Sequence, residues 1–159
     1  MNDQFDTLIS SLHDYDPEKR RQAASALGRM RDERAVSYLI ELLKDSVPNV
    51  RFTAAAALGQ IGDPLAVSYL VKLLTSVDKH DTAPRRVVVW ALGQIADVHA
   101  SSALLAVLHD PADGAYYDAA IALGRMGDRR AIAPLKMART HIDSGIREEA
   151  ARLLQTLKD

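Results

Sequence analysis

Val50-Arg51-Phe52-Thr53-Ala54-Ala55-Ala56-Ala57-Leu58-Gly59-Gln60-Ile61-Gly62-Asp63 is the stretch that decides the fold. Ala54, Ala55, Leu58 and Ile61 fall on one side of a helix, and Gly62-Asp63 ends it. Its inner motif, Ala57-Leu58-Gly59, returns as Ala26-Leu27-Gly28, Ala91-Leu92-Gly93 and Ala122-Leu123-Gly124. The glycines stand 31, 34 and 31 residues apart, and Leu153-Leu154-Gln155 keeps the register one period later. A fixed period in this range marks a solenoid, in which each unit stacks only on its neighbours.

Each period holds two helical stretches. In the second, Ala35, Val36, Leu39, Ile40, Leu42 and Leu43 share one face, 44–48 breaks the run, and 50–61 resumes it. The same pair recurs as 66–74 with 85–95, 100–108 with 115–126, and 131–140 with 146–157. Phe5, Leu8, Ile9 and Leu12 start the series, followed by 18–30. The pattern predicts an all-α chain with no room for strands. It is a right-handed α-solenoid of five helix pairs in one domain, 1–159, with repeats near 1–30, 31–62, 63–96, 97–127 and 128–159.

The punctuation agrees. Gly62 and Gly127 stand where a second helix ends in a left-handed turn, and Asp63 and Asp128 follow as N-caps. Asp32 and Asp97 hold the same place, although Arg31 and Ala96 replace the glycine. Pro64 fits a first helical position. Gly28, Gly59, Gly93 and Gly124 fall inside the second helices, where glycine costs about 1 kcal/mol relative to alanine. The compensating gain expected is close helix approach, which the pairs Ala23-Ala24, Ala54-Ala55, Ala119-Ala120 and Ala150-Ala151 also permit.

Composition narrows the function. A net charge of −1 gives no overall field toward nucleic acid or anionic membrane. The absence of cysteine excludes disulfides, thiol catalysis and thiolate metal sites, and fits a reducing compartment. The acidic start, 1–6, lacks the pattern of a signal peptide, and no apolar run suits a membrane span. The expected location is cytoplasmic.

The run 50–63, with the helix 35–45 before it, resembles the HEAT-like repeat of the phycocyanobilin lyase type, and the resemblance covers almost the whole chain. Similar repeats occur in bilin lyase subunits, hydroxylases, DNA glycosylases and bacterial adaptor proteins, so the resemblance implies the fold more than the activity. It implies an Asp–Arg ladder, in which an aspartate ending each first helix bonds an arginine in the second. The pairs would be Asp14 with Arg20 and Asp45 with Arg51. Arg85 and Arg147 take the arginine place in repeats three and five, with Asp81 and Asp143 displaced from the aspartate place. Repeat four keeps Asp110 but has Tyr116 for the arginine, either a break in the ladder or a functional replacement.

Chemistry-bearing patterns are few. His13 and His109 each precede an aspartate at the end of a first helix, three repeats apart, so they cannot share a metal. His80 beside Asp78 and Asp81 reads as a solvated loop. No His-Glu dipeptide occurs, so the iron ligands of the related hydroxylases are missing. No catalytic triad, carboxylate pair or phosphate loop is readable, and no metal or cofactor is expected. Tyr38 and Tyr69, 31 residues apart, belong to the convex side, and 76–83 reads as a tolerated surface insertion.

The resemblance also implies that the second helices line a concave face. Their outward positions are the two residues before the Ala-Ala pair and the one after it. These give Arg21, Gln22, Phe52, Thr53, Arg86, Val87, Trp90, Tyr117, Asp118 and Ile121. Phe52, Trp90 and Tyr117 are three of only eight aromatic residues, and all three are expected to face solvent in one hollow. Exposed aromatics beside an arginine, with Arg21 flanking at one end and Glu148 and Glu149 at the other, make an apolar centre with a polar rim. The expected function is a non-catalytic scaffold binding another protein on that face. The alternatives are a subunit or chaperone of a phycobilin lyase-type enzyme, and nucleic-acid binding, which the mixed charge of the face disfavours. Phe5, Leu8, Leu153, Leu154 and Leu157 in the terminal repeats are candidate contacts for self-association.

Overall fold

Ten α-helices, joined by turns, make up the computed structural model, which describes residues 3–157. Residues 1, 2, 158 and 159, placed above in the first and last repeats, lie outside the described residues. The helices are α1 (Asp3–Ser11), α2 (Pro17–Met30), α3 (Val36–Leu42), α4 (Pro48–Ile61) and α5 (Val67–Ser76), followed by α6 (Thr82–Ile95), α7 (Ser101–Leu108), α8 (Tyr116–Arg125), α9 (Ile132–Ala138) and α10 (Ser144–Thr156). No strand occurs among the described residues. Each even-numbered helix packs on the odd-numbered helix before it and on the even-numbered helix of the next repeat. The even-numbered helices therefore form a continuous inner layer.

That layer is held by the recurring motif itself. A Cβ added to Gly59 would stand 2.7 Å from Ala91 Cα, and one added to Gly93 would stand 2.7 Å from Ala122 Cβ. Both distances are well inside van der Waals contact. The glycine of each Ala-Leu-Gly thus receives the alanine of the next, while Leu27, Leu58, Leu92 and Leu123 are fully buried between them. The close approach expected from the sequence is present, and the glycine's partner is this alanine. In repeat five Leu153 replaces the alanine, and Gly124 faces its side chain.

The turns follow the predicted punctuation. Arg31, Gly62, Ala96 and Gly127 all have positive φ, between 52° and 85°. Asp32, Asp63, Asp97 and Asp128 then each accept the backbone N–H two residues on, opening a short 3-10 turn that leads into the next odd-numbered helix. Arg31 and Ala96 hold the left-handed conformation without the glycine that normally makes it cheap.

The ladder runs between repeats, which corrects the pairing within repeats. Arg20 donates Nε–H and Nη2–H to the Asp45 carboxylate of the next repeat at 2.7 and 2.9 Å. To its own loop it gives only Nη1–H, on the carbonyls of Asp14 and Tyr15. Arg51 likewise takes the Asp45 and Ser46 carbonyls and not the Asp45 carboxylate. Lys79 stands six residues before Arg85, where the pattern asks for aspartate, so the carboxylate that would meet Arg51 is missing. Arg85 passes over Asp81 to pair with buried Asp113 of repeat four at 2.7 Å. Arg147, in the last repeat, meets only the carbonyls of His141 and Ile142. The geometry is simple: an arginine near the start of an inner helix has its own loop's carbonyls beneath it and the next loop's carboxylate beside it. Tyr116 buries its ring at the arginine place, so the ladder is interrupted there.

The insertion at 76–83 has a structural task. Lys79 pairs with Asp110 at 2.6 Å and its carbonyl accepts the Gly114 N–H at 2.9 Å. The loop is tied to the next loop rather than left free.

Gly93→Ala is expected to destabilise the chain by about 1–3 kcal/mol in urea unfolding, although alanine is the better helix former. Ala96→Gly is expected to stabilise it by up to about 1 kcal/mol, since it removes left-handed strain. Arg20→Ala is expected to cost about 2–4 kcal/mol, because it leaves Asp45 half-buried without its cation. The Arg20 hydrogen bonds hold the Asp45 carboxyl below its ordinary value, helped by the Val47 N–H against the effect of burial. A lowered folded value means the stabilisation is present above the unfolded value near pH 3.9 and is lost as pH falls through the folded one. Acid titration of stability should therefore be shallower below about pH 4 in Asp45→Asn than in the parent.

Candidate functional site

The inner face is built by helical spacing. On α6, Arg86, Val87 and Trp90 lie three and four residues apart and share one side, and on α8 Asp118, Ile121 and Arg125 do the same. Three adjoining recesses run along these helices. One of about 440 Å³ is lined by Arg21, Phe52, Thr53, Ala56 and Val87. The next, about 370 Å³, is lined by Ala56, Arg86, Val87, Trp90 and Asp118. The third, about 350 Å³, is lined by Arg86, Trp90, Asp118, Ile121, Arg125 and Glu149. Shared lining residues join them into one groove with Trp90 at its middle.

The three rings do not share that hollow equally, contrary to expectation. Trp90 is 36 % exposed, whereas Phe52 and Tyr117 are half-buried against the core. The repeat register explains the split. Phe52, Arg86 and Tyr117 occupy equivalent places, while Trp90 stands one turn further on, level with Ala56 and Ile121. Tyr117 leans toward the loops, with its ring edge-on to Tyr116 at 5.1 Å and to His141 at 4.8 Å. It lines a smaller side recess of about 140 Å³, which shares Arg86, Asp118 and Ile146 with the third. Gln22 bonds Glu18 at 3.0 Å and lines none of these recesses.

Charge along the groove is paired across helices. Arg86 Nε–H donates to Asp118 at 2.9 Å, and Arg125 Nε–H donates to Glu149 at 2.9 Å. Arg152 joins Glu149, and Arg21 pairs with Glu18. Burial pushes the Asp118 carboxyl above its ordinary value, opposed by the Arg86 hydrogen bond. With its amide oxygen turned toward them, Gln94 accepts Arg125 Nη1–H at 2.7 Å and Trp90 Nε1–H at 3.1 Å. This fixes the indole through its polar edge and leaves the ring face to the groove. Gln94 and Arg125 were not among the expected groove residues. Adding four to Trp90 and to Ile121 along the same faces reaches both.

Outside the groove, Phe5 is buried beneath the Arg34 guanidinium, 4.3 Å from its ring centre. Leu153, Leu154 and Leu157 are buried and Leu8 is half-buried, so the terminal apolar residues considered for self-association are covered by the chain itself. Tyr38 and Tyr69 are exposed on the outer helices. Among the described residues no three histidine or carboxylate side chains come together to hold a metal, and no helix is long and apolar enough to cross a membrane.

The family model of HEAT repeats matches residues 5–82 and 77–155. The chain belongs to the HEAT-repeat family. Among solved structures it is similar to the complex of CpcE and CpcF of phycocyanin lyase from Nostoc sp. PCC7120, with 28% identity and a TM-score of 0.79. That match covers 96% of this chain but only 64% of the neighbour, so this chain spans less than two thirds of the other's length. A designed armadillo repeat protein matches with 19% identity and a TM-score of 0.62, covering 98% of this chain and 87% of that one. An engineered protein matches with 22% identity and a TM-score of 0.51, over 99% and 97% of the two chains. These last two show the helical-repeat fold alone. No curated protein sequence matches.

Trp90→Ala is expected to keep the helical circular dichroism and to cost no more than about 2 kcal/mol of stability, against about 3–5 kcal/mol for a fully buried ring. Chemical unfolding checks this.

Proposed function

We propose that this chain is a non-catalytic scaffold that binds another protein along the groove of its inner helices. The observation that carries the reading is the continuity of that groove: an apolar floor of Ala56, Val87, Trp90 and Ile121 between ion-paired rims. Such a floor offers area for burial, and the paired rims set register and exclude wrong partners. Phe52, Trp90 and Ile121 would be the anchors, with Arg86 and Asp118 as polar contacts and Arg21, Thr53 and Val87 extending the surface. The pairing of Arg21, Arg86 and Arg152 with carboxylates supports a protein partner over a nucleic acid, which needs uncompensated positive charge.

A second reading draws on one observation, the similarity to the lyase complex of CpcE and CpcF. Here the chain would serve as a subunit or chaperone of a phycobilin lyase-type enzyme acting on a chromophore-bearing protein. The two readings separate by absorbance: purification with or transfer of a visible pigment supports the second alone.

The test of the first begins with cross-linking in the native host to identify the partner, followed by affinity measurement with purified components. Trp90→Ala is expected to weaken binding by about 2–4 kcal/mol, as loss of a hot-spot aromatic does. Unchanged affinity in Trp90→Ala and in Ile121→Ala would overturn the groove as the binding face.

A further inference from the structure

Around Trp90 the groove carries arginine N–H groups that no acceptor among the described residues meets. Arg86 uses one of its N–H groups, Nε–H, on Asp118. Among the described residues its two terminal nitrogens have no acceptor, and the side chain is 40% exposed. Arg125 gives Nε–H to Glu149 and Nη1–H to Gln94, and its Nη2 remains unused. The carboxylates of the same recess are engaged to different degrees, Asp118 accepting Arg86 through Oδ2 alone. Both Glu149 oxygens accept from arginine, and Asp143 caps α10 through the N–H groups of Gly145 and Ile146. A guanidinium cannot lose its proton to shed an unmet donor.

The pair on α6 and α8 also fixes direction. Asp118 holds Arg86 by the Nε edge alone, so the terminal fork stays free, in the recess that also contains the exposed indole face of Trp90. Planar forks of this kind match a carboxylate with two parallel hydrogen bonds.

We infer that the middle of the groove receives an acidic side chain of the partner. Its carboxylate sits on the Arg86 fork, and a neighbouring apolar side chain lies against Trp90 and Ile121. This deepens the binding reading above and rests on it.

Trp90 is the only tryptophan, so its emission reports on this site directly. Three synthetic peptides serve as probes, each about ten residues long, an extended length of roughly 33 Å that crosses inner helices spaced about 10 Å apart. One alternates Phe with Glu, and the others replace every Glu by Gln or by Lys. Titrated into the intact chain, the Glu peptide is expected to shift Trp90 emission with affinity roughly tenfold tighter than the Gln peptide, the scale of one charge-assisted pair. In an Asp118→Asn background, where no half-buried carboxylate is left without its cation, Arg86→Gln should abolish that preference while circular dichroism shows the chain still folded. Arg86→Lys, which keeps the charge beside Asp118 but loses the fork, should retain only part of it. Equal affinities, or tighter binding of the Lys peptide, would overturn the acidic subsite and leave the groove standing. No change in emission with any peptide would overturn subsite and groove together.

Discussion

The contact between a glycine in one inner helix and an alanine in the next sets the rest of this structure. With no side chain on one partner and a methyl on the other, the two helix backbones approach until a single added carbon would collide. Leu27, Leu58, Leu92 and Leu123 are fully buried beside this contact. The stacking of the inner layer is thereby written into two small residues, one glycine and one alanine, at each of the first three junctions. The helix-propensity cost of glycine is offset by dispersion contacts along two packed backbones. In repeat five leucine takes the alanine place, so the glycine–alanine interlock stops at α8.

A second device works at the loop edge of the stack. Arginines near the start of the inner helices reach one repeat forward, so Arg20 with Asp45 and Arg85 with Asp113 join neighbouring repeats through side chains. Where Lys79 breaks the pattern, the same edge is closed by Lys79 with Asp110 and by the loop-to-loop hydrogen bond to Gly114. Every junction thus has a small-residue contact inside, but only some have a charged tie at the edge. The groove lies between these two constraints. Its floor is whatever side chain each repeat places on the free side of a helix whose other sides are committed.

Much of this was legible in the sequence because residue type at fixed spacing carries it. The repeat, the left-handed turn positions, the capping aspartates and the inner face all depend on which residues stand at equivalent places. The ladder partners were not legible. Asp14 is near Arg20 in sequence and Asp45 is near it in space, and spacing alone does not tell which carboxylate a long side chain reaches. The sequence also grouped Phe52, Trp90 and Tyr117 as equals. Their different levels along the helices, with Tyr117 in the first turn of α8 against the loops, become plain only once the registers are superposed. Arg125 and Gln94 escaped notice because polar residues near helix ends look like solvated surface until the neighbouring repeat is in place.

The central claim is that glycine and alanine interlock across the inner layer. A double-mutant cycle at Gly59 and Ala91 tests it most directly, since exchanging the two residues moves one methyl across the contact without changing composition. The account requires the exchanged protein, Gly59→Ala with Ala91→Gly, to recover most of the stability that Gly59→Ala loses, a coupling of about 1–2 kcal/mol in urea unfolding. Strictly additive losses would mean that the two residues do not meet, and that something else holds the inner layer together.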